Sequence, residues 1–132
     1  MIDISREFDE ILNEDILDED ILCEMANLVK SKSGLDVEIW SENKGVLRNV
    51  AHSVPRVKLA GDYRISASIE PSPRILAKPS GVSMDKAKRD FRKGLEYVGD
   101  NYDIFLKHYN DTDDSFDDED LFNALRERGV YK

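Results

Sequence analysis

Five side chains near the C-terminal end have the types and spacing that could hold a metal ion. Asp111, Asp113, Ser115, Asp117 and Glu119 fall at positions 1, 3, 5, 7 and 9 of a twelve-residue calcium loop. Such a loop needs a glycine at its sixth position for a sharp turn, and a bidentate glutamate at its twelfth to complete the oxygen shell. Phe116 and Phe122 stand there instead. The stretch therefore reads as an acidic linker, and neither metal nor cofactor is expected. A second pattern, Ser83-Met84-Asp85-Lys86, has the S-x-x-K spacing of serine acyl-transfer enzymes, but the companion motifs are missing. A serine in this position is expected to cap a helix. Two histidines and one cysteine make no metal signature. His108 is expected at the surface or facing a helix dipole, and Cys23 is expected as an inert thiol within a helix. His52 could contact phosphate or act as a base, although no nucleophile lies near it in sequence. No catalytic residue is assigned.

Charge is the stronger signal. Residues 1–24 hold ten acids and one base, residues 25–109 hold fifteen bases and ten acids, and residues 110–132 hold eight acids and three bases. Two acidic ends thus flank a mildly basic middle. The candidate acidic surface comprises Glu14, Asp15, Asp18, Glu19, Asp20, Asp113, Asp114, Asp117 and Asp118. The candidate basic patch comprises Arg48, His52, Arg56, Lys58, Lys86, Arg89 and Arg92, with Arg64, Arg74, Lys88 and Lys93 nearby. An acidic end can solvate the chain, fold onto the basic middle, or compete with nucleic acid for a basic partner. A formal net charge of −9 argues against direct nucleic-acid binding, which relies on cations that release counterions.

These residues must be positioned by elements whose periods are visible in the sequence. Ser5 can cap a short helix bearing Phe8, Ile11 and Leu12 on one face. Asp18 can begin a second, with Ile21, Leu22, Met25, Leu28 and Val29 as its apolar stripe and Gly34 past its end. Alternation then predicts three antiparallel strands at about residues 36–42, 54–60 and 63–70, with PSPR at Pro71–Arg74 ending the sheet. Met84, Ala87, Phe91, Leu95, Val98, Tyr102, Phe105 and Tyr109 step by three or four. They predict one long helix over residues 83–109, with a kink or break near Gly99. A last short helix carries Leu121, Phe122 and Leu125, with Gly129 beyond it. The expected fold is α+β: a small three-stranded antiparallel sheet packed by the long helix, with N-terminal helices and a short C-terminal helix. One domain over 1–132 is expected, divided into an acidic helical segment (1–34), a sheet-plus-helix core (35–109), and an acidic linker with a helix (110–132).

From about residue 33 to 110 the chain resembles small uncharacterised bacterial and phage domains found near toxin–antitoxin or defence genes. The likeness is carried by SGLDVEIW, AHSVPRVKL, ISASIEPSPRIL and NYDIFLKHYND. It implies an α+β fold and a phage or mobile-element setting. Many members carry a Pro-His-x-His strand. Here that strand reads Pro55-Arg56-Val57-Lys58, so a role for those histidines does not transfer.

The lone cysteine, the acidic N-terminus and the lack of an apolar run of about 20 residues point to a cytoplasmic chain without signal peptide or membrane span. The expected function is a non-enzymatic protein-interaction module, acting through an acidic surface. Its specific form would be a phage-encoded inhibitor of a host nucleic-acid-handling defence enzyme, of anti-CRISPR or anti-restriction type. The alternatives are a toxin–antitoxin component, and a small enzyme using His52 and nearby arginines. A protein partner is expected, with a homodimer whose ends exchange as another arrangement.

Overall fold

The computed structural model describes residues 25–42, 54–111 and 115–132. Among these, one sheet has five antiparallel strands in simple chain order: β1 (Ala26–Leu28), β2 (Glu38–Ser41), β3 (Arg56–Ala60), β4 (Arg64–Ser68) and β5 (Ile75–Ala77). The three expected strands are present, but an edge strand has been added on each side, so the three-stranded expectation is wrong. On the β1 side, the helical stripe through Met25, Leu28 and Val29 is replaced by period-two burial. Ala26 pairs with Ser41 and Leu28 with Ile39, and both apolar side chains enter the core. Three residues are too few for periodicity to separate helix from strand, and the exposed edge of β2 settles the matter. On the other side, the Pro71–Arg74 stretch turns the chain without ending the sheet. The Arg74 amide donates to the Ser68 hydroxyl and the Ser68 amide to the Arg74 carbonyl, and β5 follows with a register shift at Ser66/Ala67.

Among the described residues, five helical segments accompany the sheet: α1 (Lys30–Ser33), α2 (Met84–Asp90), α3 (Arg92–Asp100), α4 (Tyr102–Tyr109) and α5 (Asp118–Glu127). Gly34 ends α1 and Gly129 follows α5, both at left-handed φ, as their positions in the sequence suggested. Ser83 caps α2 by accepting the Lys86 amide at 3.1 Å. The expected long helix is interrupted at Phe91 (φ −112°) and Asn101 (φ −123°). Its second break comes two residues beyond Gly99. Gly99 matters for packing instead. A Cβ there would drive into the Pro71 carbonyl oxygen and crowd Pro73, so the absence of a side chain lets the β4–β5 connection lie against α3. Asn101 is buried, donates to the Tyr97 carbonyl at 2.8 Å, and accepts from Arg128 at 3.2 Å.

Strand alternation puts Ala26, Leu28, Ile39, Val57, Leu59, Ile65 and Ala67 on one face of the sheet. They form a continuous core with Phe91, Val98, Ile104, Phe105, Leu121 and Leu125. Phe91 and Phe105 are fully buried and Leu95 is partly so, whereas Met84 and Tyr102 of the same sequence stripe are exposed. Met84 is the first residue of α2, and Tyr102 comes directly after the break at Asn101. The chain also continues into helix where a linker was expected, since Asp118–Asp120 form the first turn of α5.

Candidate functional site

The C-terminal acids are organised by α5. Asp117 accepts the Asp120 amide at 3.0 Å, and Asp120 accepts the Asp117 amide at 3.1 Å, forming a reciprocal cap. A cap of this kind satisfies two backbone donors at a helix start. The pair also brackets Asp118 and Glu119, so four consecutive carboxylates occupy one fixed helix start. Glu119 faces Arg126 at 3.9 Å. Asp111, first in the calcium-loop spacing, turns inward. It accepts from the Ser115 hydroxyl at 3.0 Å and from the Phe116 amide at 3.2 Å. Among the described residues, no group of three or more His, Cys, Asp or Glu side chains is placed to hold a metal ion.

Asp118 leads to a polar array that the sequence reading missed. Its Oδ1 lies 2.8 Å from His108 Nε2, and His108 Nδ1 lies 2.8 Å from the Ser41 hydroxyl. An ionised Asp118 accepts the Nε2 proton, which leaves the Nδ1 lone pair to accept from the serine. This is the order serine, imidazole, carboxylate that activates a hydroxyl for acyl transfer. The surroundings differ from those of a nucleophile. Ser41 is 0% and His108 1% exposed, while Asp118 is 47% exposed, so only the carboxylate end meets solvent. His108 is therefore interior, contrary to the surface placement expected for it. Its position on the Phe105 side of α4 was one available signal. The inward parity of Ser41, two residues after the core residue Ile39, was another. The array joins α4 to β2 and to the cap of α5.

The basic patch divides into two surfaces. Lys86, Arg89 and Arg92 lie with Lys88 and Lys93 on the exposed side of α2 and α3. Lys88 and Arg89 close α2, and Arg92 and Lys93 open α3, so four like charges crowd the two sides of the break at Phe91. Arg92 reaches Glu96 at 3.3 Å and Lys86 reaches Asp90 at 2.8 Å. Asp90 also accepts the Tyr63 hydroxyl at 2.7 Å. The Lys86 hydrogen bond, then that of Tyr63, holds the Asp90 carboxyl below its ordinary range. Burial of its ring, reinforced by Asp90, pushes Tyr63 up to about 12. These groups edge an open cleft of about 430 Å³, in which Lys30, Lys86 and Arg89 alternate with Asp36, Asp62 and Asp90.

Arg56 and Lys58 do not join that surface. They pair with Ser68 and Ser66 and alternate with the inward Val57 and Leu59, so they belong to the opposite face of the sheet. Arg48, His52, Glu14, Asp15, Asp18, Glu19, Asp20, Asp113 and Asp114 lie outside the described residues, as does Cys23. Among the described residues, no helix is long and apolar enough to cross a membrane. No protein-family model, curated protein or solved structure matches the chain.

Proposed function

We propose that the chain is a protein-interaction module that presents helix-borne carboxylates to a basic groove of a partner. Its specific form is an inhibitor of a nucleic-acid-handling defence enzyme, competing for a groove that otherwise holds phosphates. The observation that carries this reading is the start of α5. There Asp117 and Asp120 are tied to the backbone by the reciprocal cap, and Asp118 is tied to His108. An anionic edge held in place loses little side-chain entropy when a partner docks, whereas a flexible acidic tail loses more. Electrostatic complementarity of this kind speeds encounter and selects the partner.

One observation favours a second reading, a serine hydrolase built on Ser41, His108 and Asp118. The complete burial of Ser41 weighs against it, because an acyl carbonyl has to come within about 3–3.5 Å of the attacking oxygen.

The test is a panel of restriction and CRISPR nucleases assayed for DNA cleavage and DNA binding with the protein added, at low and high salt. Inhibition by the wild-type chain that is relieved by salt and by Glu119→Lys supports the reading. Absence of inhibition across the panel counts against the inhibitor form. Labelling of Ser41 by a fluorophosphonate probe would move the conclusion to the hydrolase.

A further inference from the structure

The turn between β3 and β4, the segment leading from α1 to β2, and the helix α2 meet around the open cleft of about 430 Å³. Gly61 lies between them. A Cβ there would come within 3.1 Å of Val37 Cγ1 and 3.7 Å of the Phe91 ring, so the bare backbone lets the three elements close on one another. The ionisable lining consists of three cations, Lys30, Lys86 and Arg89, three acids, Asp36, Asp62 and Asp90, and the Tyr63 phenol. Part of this set is matched internally. One oxygen of Asp90, Oδ2, accepts from Lys86 Nζ at 2.8 Å and from the Tyr63 hydroxyl at 2.7 Å. The other four charged side chains, Lys30, Arg89, Asp36 and Asp62, enter no ion pair among the described residues. Two charges of each sign therefore stand unmatched around one concavity.

We infer that this cleft binds a small zwitterion bearing a carboxylate and an ammonium group, as a free amino acid or a dipeptide does. Charge decides the class. The cations and acids of the lining balance, so a simple anion drawn to Lys30 and Arg89 is repelled by Asp36 and Asp62, and a simple cation meets the reverse. A ligand with both signs satisfies both pairs. Arg89 suits the carboxylate, because a guanidinium presents its donors in a planar fork that matches two oxygens. Asp36 and Asp62 are acceptors for the ammonium hydrogens. The Tyr63–Asp90–Lys86 cluster is a wall already fixed, with the Tyr63 ring edge-on to Phe91 at 5.1 Å between centroids. Groups held in advance lose less freedom when a ligand arrives. The volume falls within the range of about 300–1,000 Å³ usual for small-ligand sites, and a lining dominated by charged side chains selects a charged ligand over an apolar one. None of the lining residues belongs to α5, so the inference does not depend on the partner-binding reading above.

The test titrates the isotope-labelled full chain and follows backbone amide shifts by NMR. Four probes are used: alanine and alanylalanine as zwitterions, succinate as an anion alone, and putrescine as a cation alone. The expected result is a saturable shift centred on Gly61, Asp62 and Tyr63 with one or both zwitterions, and no comparable saturation with succinate or putrescine. Whether alanine or alanylalanine binds more tightly then separates a free amino acid from a peptide. Arg89→Gln and Asp62→Asn each remove one end of the recognition, and each should weaken zwitterion binding about tenfold or more, the loss of one hydrogen bond to a charged group. Both side chains lie outside the ion pairs of the fold, so circular dichroism should be unchanged. Lys88→Gln, altered on α2 but outside the lining, should bind as the wild type does. Failure of both zwitterions to saturate overturns the inference, and so does succinate or putrescine binding as tightly as either. Shifts centred away from the cleft, or an equal loss in Lys88→Gln, also overturn it, since they would show attraction to surface charge at large.

Discussion

Removing the Ser41–His108 hydrogen bond from each side separately, and then from both, gives the most decisive test of what the buried array does. Ser41→Ala deletes the donor and leaves Nδ1 of a fully buried imidazole without a partner. A stranded buried acceptor costs about 1–3 kcal/mol. His108→Leu strands the Ser41 hydroxyl at similar cost. It also releases Asp118, but that carboxylate is 47% exposed and returns to water, so this half adds at most about 1 kcal/mol. The single variants should therefore lose about 1–3 and about 1–4 kcal/mol. The double variant Ser41→Ala/His108→Leu leaves neither atom of that bond stranded. Its loss should fall short of the sum of the singles by about 1–2 kcal/mol. Urea unfolding followed by circular dichroism and by Trp40 fluorescence measures all four chains. For a chain of this size, each kcal/mol lowers the midpoint of thermal melting by about 3–6 °C. Strict additivity, or a Ser41→Ala variant as stable as the wild type, would refute a closed interior hydrogen bond. Either result would reopen the hydrolase reading, in which Ser41 is spared for chemistry.

Three further outcomes are expected. Phe91→Ala should cost about 3–5 kcal/mol in the same urea assay, because the ring is buried, edge-on to Tyr63 at 5.1 Å between centroids. Gly99→Ala should cost about 1–3 kcal/mol by forcing the Pro71–Pro73 connection away from α3, so a neutral effect would show that the connection yields freely. The third concerns pH. Tyr63 is raised in the folded state from 10.0 to about 12, so it favours the fold below pH 10 and that contribution is lost as pH rises through about 12. Subtracting the ultraviolet titration of Tyr63→Phe from that of the wild type should isolate a phenol ionising near 12, and Asp90→Asn should bring it back toward 10.0. Asp90 has the opposite sign: its lowered value stabilises the fold above pH 3.8 and that contribution disappears as pH falls below it.

Much of the architecture is legible in local pattern. Alternation through Val57 and Leu59 and through Ile65 and Ala67 specifies strands, because one face of each must meet the core. The three-and-four spacing from Ala87 to Tyr109 specifies helix, and glycines at 34 and 129 mark where helices end. These signals lie within a few residues of one another, so the sequence alone determines them. Helix breaks, edge strands and polar networks depend instead on what comes near from elsewhere. Ala26–Leu28 is a strand because β2 offers an unpaired edge. The segment 84–109 breaks at Asn101 because the Asn101 side chain bonds the Tyr97 carbonyl and Arg128, just past α5. Ser41, His108 and Asp118 are separated by 67 and 10 positions and meet only when α4 packs on β2 and α5 folds back. The basic residues show the same division. Composition revealed an excess of cations in the middle of the chain, but strand alternation combined with burial decided that Arg56 and Lys58 lie on one side of the sheet and Arg89 and Arg92 on the other. Charge can be counted along a chain, whereas the side of a sheet on which it acts is set by which face the helices cover.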